Sequence, residues 1–96
     1  DDFHNIEKYS KSCKNLNDFI SEKLGMGKSY EFGHSFFMKI TGIANNRTIS
    51  SKNLNVLFNL HLRPTLKEYL RSMFAESQLD NKLEEALSVF VNPIGK

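Results

Sequence analysis

Apolar residues recur along this chain at helical spacing. Leu16, Phe19, Ile20 and Leu24 fall at i, i+3, i+4 and i+8, one stripe of a helix that begins near Ser12 and is stopped by Gly25 and Gly27. Lys28 to Phe32 reads as an extended approach to Gly33, and the cluster Phe36, Phe37, Met38, Ile40 and Ile43 predicts a short helix from about His34. After the polar loop Ala44–Ser50, Ser51 is placed to cap a helix carrying Leu54, Leu57, Phe58 and Leu62. Pro64 has no N–H and biases Arg63 away from the α region, so a break is expected there. Pro64 also suits the first position of the next helix, with Leu66, Tyr69, Leu70, Met73 and Phe74 as its buried stripe. A last helix opens near Ser77 or Asp80, carries Leu83, Ala86, Leu87 and Phe90, and is stopped by Pro93 and Gly95.

No alternation of apolar and polar residues runs beyond about four residues, which leaves no strand to propose. The expectation is an all-α bundle of four to five short helices. Phe3, Ile6 and Tyr9 are spaced by three within a polar segment and fit either a loose helix or a boundary. Residues 1–11 are accordingly set apart as a boundary segment, 12–92 as the helical domain and 93–96 as a C-terminal tail.

Composition narrows the function classes. Ninety-six residues are one domain's worth of chain. Thirteen Lys and Arg against eleven Asp and Glu give a net charge of only +2, with no run of like charge, so the footprint of an obligate nucleic-acid binder is missing. The single cysteine, Cys13, forms no internal disulfide, which points to a reducing, cytoplasmic setting. No apolar run reaches the roughly 18 residues of a membrane span. Asn46-Arg47-Thr48 is a formal glycosylation triplet, but nothing else suggests secretion.

Candidate chemistry is sparse. Gly25-Met26-Gly27-Lys28-Ser29 ends like a phosphate-binding loop, yet Glu22 stands where the first glycine belongs and a helix precedes it instead of a strand. It reads as a glycine-rich helix stop followed by a solvated lysine. Gly33-His34-Ser35 is no nucleophile elbow, because Phe37 replaces the closing glycine. His4, His34, His61 and Cys13 lack metal-ligand spacing, and Glu84-Glu85 is most simply a solvated helix face. The residues themselves give no catalytic set and no metal site.

Three blocks in order carry more. Tyr30-Glu31-Phe32-Gly33-His34-Ser35-Phe36-Phe37-Met38 resembles the I-G-H-S-Y-F-M signature of McrB-type AAA+ NTPases, and Leu16-Asn17 with Ile20 resembles the L-N-x-x-I helix upstream of it. Leu62-Arg63-Pro64-Thr65-Leu66-Lys67-Glu68-Tyr69-Leu70 resembles the downstream I-x-P-L-L-x-E-Y-F block at Pro64, Leu66, Glu68 and Tyr69, followed by Asp80, Lys82 and Leu83 in order. Thr65 and Leu70 depart from that pattern, as do Phe32 and Phe36 from the first.

The resemblance implies the C-terminal helical lid of such a protein, beyond the core that holds the Walker motifs. It implies that the lid closes over bound nucleotide and couples hydrolysis to motion in an oligomeric ring, without catalysis of its own. It makes Gly33, His34 and Ser35 the nucleotide-facing turn and Pro64, Leu66, Glu68 and Tyr69 a structural motif. The implied cofactor is ATP or GTP with Mg²⁺ in the whole protein and none in the isolated domain. Implied partners are its own AAA+ core and neighbouring subunits; a nuclease subunit stays open, DNA enters only indirectly, and no membrane is involved. Where many AAA+ relatives carry an arginine, Phe36-Phe37-Met38 stands instead, so Lys39 or His34 would have to meet a phosphate. The competing expectations are a small DNA-binding module, with Arg63, Lys67 and Arg71 along one helix face, and a plain protein-interaction bundle.

Overall fold

The computed structural model describes residues 3–44 and 47–95, and among the described residues every regular element is helical, without a strand. Asn46 of the glycosylation triplet lies outside them. Five α-helices, α1 (Ile6–Asp18), α2 (His34–Phe37), α3 (Ser51–Leu57), α4 (Arg63–Arg71) and α5 (Glu76–Gly95), are joined by π and 3₁₀ turns. The long α5 lies against α1, α3 and α4, and the core runs along its Leu79, Leu83, Ala86 and Phe90. No helix among the described residues is long and apolar enough to cross a membrane.

Two π turns explain how the buried rows stay in line. Beyond Tyr9, the buried positions of α1 and the turn that follows it are Ser12, Leu16, Ile20 and Leu24, every fourth residue. In an α-helix such a row drifts by about 40° per step, since each residue turns about 100°. A π turn over Phe19–Lys23 takes up the excess. The same solution appears at Leu54, Phe58, Leu62, Leu66 and Leu70, all fully buried, with a π turn over Phe58–Leu62. There the N–H of Arg63 bonds the carbonyl of Phe58, five residues back, and the widened turn lets the chain pass Pro64 at the start of α4.

The expected break near Arg63 is therefore absent: α3, the π turn and α4 form one continuous helix. Other expectations shift as well. The first helix starts at Ile6, not Ser12, because Tyr9 is a core residue. Ser50, not Ser51, caps α3: its hydroxyl accepts from the N–H of Asn53, and the Asn53 side chain returns the bond to the Ser50 N–H. Lys28–Tyr30 is a 3₁₀ turn, not extended chain. Met73, 48% exposed, lies past the end of α4 and not in its buried stripe. The last helix opens at Glu76, and Pro93 sits inside it, with Ile94 carried back against the core. A proline so near a C-terminus costs only one of the last hydrogen bonds.

Tyr9 and Cys13, one turn apart on α1, share an apolar niche. Burial pushes the Cys13 thiol up to about 12 from an ordinary 9.0, and raises the Tyr9 phenol well above its ordinary 10.0. Both groups are neutral when folded and ionise more readily when unfolded. The stability they contribute is thus complete below about pH 9 and is lost as pH climbs toward the folded values. Denaturant midpoints should accordingly hold level up to about pH 9 and fall beyond it; a flat profile to pH 11 would mean that the niche admits water.

Candidate functional site

The turn singled out by the sequence, Gly33-His34-Ser35, is exposed at the start of α2. Gly33 caps the helix with φ −84° and ψ 176°, ordinary extended backbone, and no side chain occupies the cap. A Cβ built on Gly33 would meet nothing within 4 Å. Neither backbone strain nor internal crowding requires glycine here. The contrast is with Gly25 and Gly27, whose φ values of 71° and 88° do call for it at the end of the first helix. There Leu24, Met26 and Gly27 donate backward to Phe19, Ile20 and Ser21, and Lys28 is left exposed. Gly25-Met26-Gly27 is thus a helix stop in geometry, with no strand before it.

The exposed turn is held from both sides by α1. Before it, Asn17 binds the main chain of Phe32 twice: its Oδ1 accepts from the Phe32 N–H at 2.8 Å and its Nδ2 donates to the Phe32 carbonyl at 3.0 Å. After it, the Tyr9 hydroxyl donates to the Phe37 carbonyl at 2.5 Å, in a buried setting. Beneath it, Phe32 meets Phe36 edge-on at 4.9 Å and Phe37 at 6.3 Å, and Phe37 stacks on Phe90 at 6.1 Å. Asn5 repeats the two-bond arrangement on Ile49, at 3.0 and 2.7 Å, and so ties the loop before α3 to the same helix.

Pro64, Leu66, Glu68 and Tyr69 divide by role. Pro64 opens α4 on the surface, and Leu66 is fully buried. Glu68 is exposed and accepts from Arg71 one turn on. Tyr69 is half-buried and meets Tyr30 edge-on at 4.9 Å. The three sequence blocks are therefore one physical unit: Asn17 joins the first to the second through Phe32, and Tyr69 joins the third to the second through Tyr30. Asn17 was visible only as part of a resemblance, and nothing in its own neighbourhood announces that its partner lies fifteen residues on.

The DNA-binding alternative loses much of its charge. Arg63 lies 3.6 Å from Asp80 and 3.8 Å from Glu84 of α5, and Arg71 engages Glu68 and lies 3.9 Å from Glu76. Two of the three cations on that face are balanced by carboxylates of the same domain. Among the described residues no His, Cys, Asp and Glu side chains gather into a group of three that would hold a metal ion.

No curated protein and no solved structure matches the chain. A family match covers residues 8–78, from the first turn of α1 into α5, under the description McrB, alpha-helical lid domain. That span contains all three blocks and the contacts that join them, and the chain belongs to the McrB alpha-helical lid domain family.

Proposed function

We propose that this domain closes over a nucleotide bound by an AAA+ core, with Gly33-His34-Ser35 facing the phosphates, and passes the nucleotide state to its neighbours in a ring. The nucleotide is ATP or GTP with Mg²⁺, the immediate partners are its own core and adjacent subunits, and hydrolysis belongs to the core. A nuclease subunit and DNA would be engaged by the assembled ring. The observation that carries this reading is the glycine that the fold does not need. Gly33 leaves open space above a turn that is otherwise braced on every side, as close approach by an external group requires. His34 and Ser35 stand exposed beside it, with the first N–H groups of α2.

The test uses a protein that carries this lid behind its AAA+ core. His34→Ala should lower hydrolysis or nucleotide-dependent assembly by about tenfold or more, the scale of one lost hydrogen bond to a charged group. The lid alone should melt within a few degrees of wild type. Gly33→Ala should leave the lid within about 1 kcal/mol of wild type, since φ −84° suits alanine while the N-cap position favours glycine, and yet impair turnover. Normal turnover in both variants, or a destabilised lid with normal turnover once folded, would reduce the turn to a structural corner.

A further inference from the structure

Two buried phenylalanines bound the exposed turn. Phe32 and Phe37 are 5% and 8% exposed, whereas Gly33, His34 and Ser35 between them are open to solvent and Phe36 is half-buried. The helix that starts in this turn, α2, is only four residues long. A single helical turn has barely begun to offset the cost of its own nucleus, so α2 does not hold its shape unaided. Its internal bonds are correspondingly few: the Phe36 N–H reaches the Gly33 carbonyl at 3.2 Å and the Met38 N–H returns to His34. The conformation of the turn is therefore imposed from outside.

Side chains of α1 impose it. Tyr9 and Asn17 stand about two helical turns apart on α1 and reach the main chain of Phe37 and of Phe32, one residue on each side of the exposed stretch. The chemistry of each contact is specific. An amide presents one acceptor and one donor in a plane, matched here to the N–H and carbonyl of Phe32. A carboxylate would keep the acceptor and turn a second oxygen toward the Phe32 carbonyl, and leucine would offer neither group. Phe32 lies outside every helix, so its N–H and carbonyl have no ladder to join. Tyr9 is seated by its ring against Phe90, which leaves the hydroxyl aimed at Phe37.

We propose that Asn17 and Tyr9 are positioning residues for the exposed turn: by fixing the main chain of Phe32 and Phe37 they set where His34, Ser35 and the first N–H groups of α2 stand before a ligand arrives. Neither side chain meets the ligand, because the hydrogen-bonding groups of both are occupied within the domain. The benefit is that a preformed turn binds without the ordering cost that a loose segment carries. That the ligand is a nucleotide phosphate rests on the function proposed above; the positioning does not.

The test has two arms. In the isotope-labelled 96-residue chain, Asn17→Leu should displace the amide signals of Phe32 to Phe36 and speed exchange of the Phe32 N–H by about tenfold or more, while Leu62 and Leu66 keep their wild-type signals. Asn17→Asp should displace the same turn signals at pH 7. As pH falls from about 6 to about 4 the introduced carboxyl regains a proton to donate, and the signals should return toward those of wild type at the same pH. Tyr9→Phe keeps the ring and should displace Ser35 to Met38 instead, which retains a measurement if a variant at Asn17 fails to fold. In the second arm, in a protein carrying this lid behind its AAA+ core, Asn17→Asp should lower turnover of ATP or GTP by about threefold or more. Added to His34→Ala it should lower turnover no further, since it acts through the turn. An undisturbed turn in Asn17→Leu and Tyr9→Phe, a displacement in Asn17→Asp that ignores pH, or losses that add in full to those of His34→Ala would each overturn the positioning role. Displaced turn signals with normal turnover in every variant, His34→Ala included, would support that role and overturn only the nucleotide reading.

Discussion

Phe90→Ala is expected to cost about 3–5 kcal/mol, most of the stability available to a domain of this length. Phe90 is fully buried on α5 and is the ring on which three other elements meet: Tyr9 of α1 edge-on at 6.4 Å, Phe37 of α2 stacked at 6.1 Å, and Phe58 of the π turn at 6.3 Å. Alanine removes the transfer energy of the ring and leaves a cavity whose walls are themselves rings pinned by other contacts, so little collapse can offset it. At about 4–8 °C per kcal/mol, the thermal midpoint should fall by about 15–30 °C. Phe90→Leu, which keeps most of the volume, should cost about 1–2 kcal/mol. A urea midpoint unmoved by Phe90→Ala would mean that α5 does not organise the core.

The second large effect separates two residues that periodicity treats alike. Leu66 and Tyr69 lie on the same expected stripe, yet Leu66 is fully buried whereas Tyr69 is half-buried against Tyr30. Leu66→Ala should cost about 2–5 kcal/mol. Tyr69→Ala should cost only about 1–2 kcal/mol, from one edge-on aromatic pair and part of a ring's burial. Denaturant melts of the two variants decide the order, and equal losses would show that Tyr69 reaches as deep as Leu66.

What the sequence shows most clearly is what repeats. The rows through Leu16, Ile20 and Leu24, through Leu54, Phe58 and Leu62, and through Leu83, Ala86 and Phe90 are all buried, because one face of a helix can be hidden only at helical intervals. The spacing held a finer message as well. A row that keeps to steps of four, from Leu54 to Leu70, cannot stay on one side of a regular α-helix, whereas Leu79, Leu83, Ala86 and Phe90, stepping four, three, four, can. The π turns are written in that difference, and so is the passage of Pro64 without a break.

Buried residues outside any repeat were opaque. Met26, Phe32 and Ile49 lie in turns and loops, where burial depends on the element that happens to cover them. The bonds from Asn17 to Phe32 and from Asn5 to Ile49 span fifteen and forty-four residues, beyond the reach of any local rule. The exposed turn was singled out by resemblance alone. Local chemistry at Gly33-His34-Ser35 is unremarked in the sequence, and the absence of any internal need for Gly33 emerges only with coordinates.

The pair of hydrogen bonds between Asn17 and Phe32 has a mechanical consequence. An amide that grips both the N–H and the carbonyl of one residue resists sliding and rolling together, and the Tyr9 hydroxyl fixes the far end of the same short segment. Deflecting His34 relative to α1 would break three hydrogen bonds at about 0.5–1.5 kcal/mol each and unseat Phe37 from Phe90. Tilting α1 together with the turn and α5 breaks none of them. A displacement of the turn is therefore shared with α1 and α5, because no softer contact lets it move apart from them.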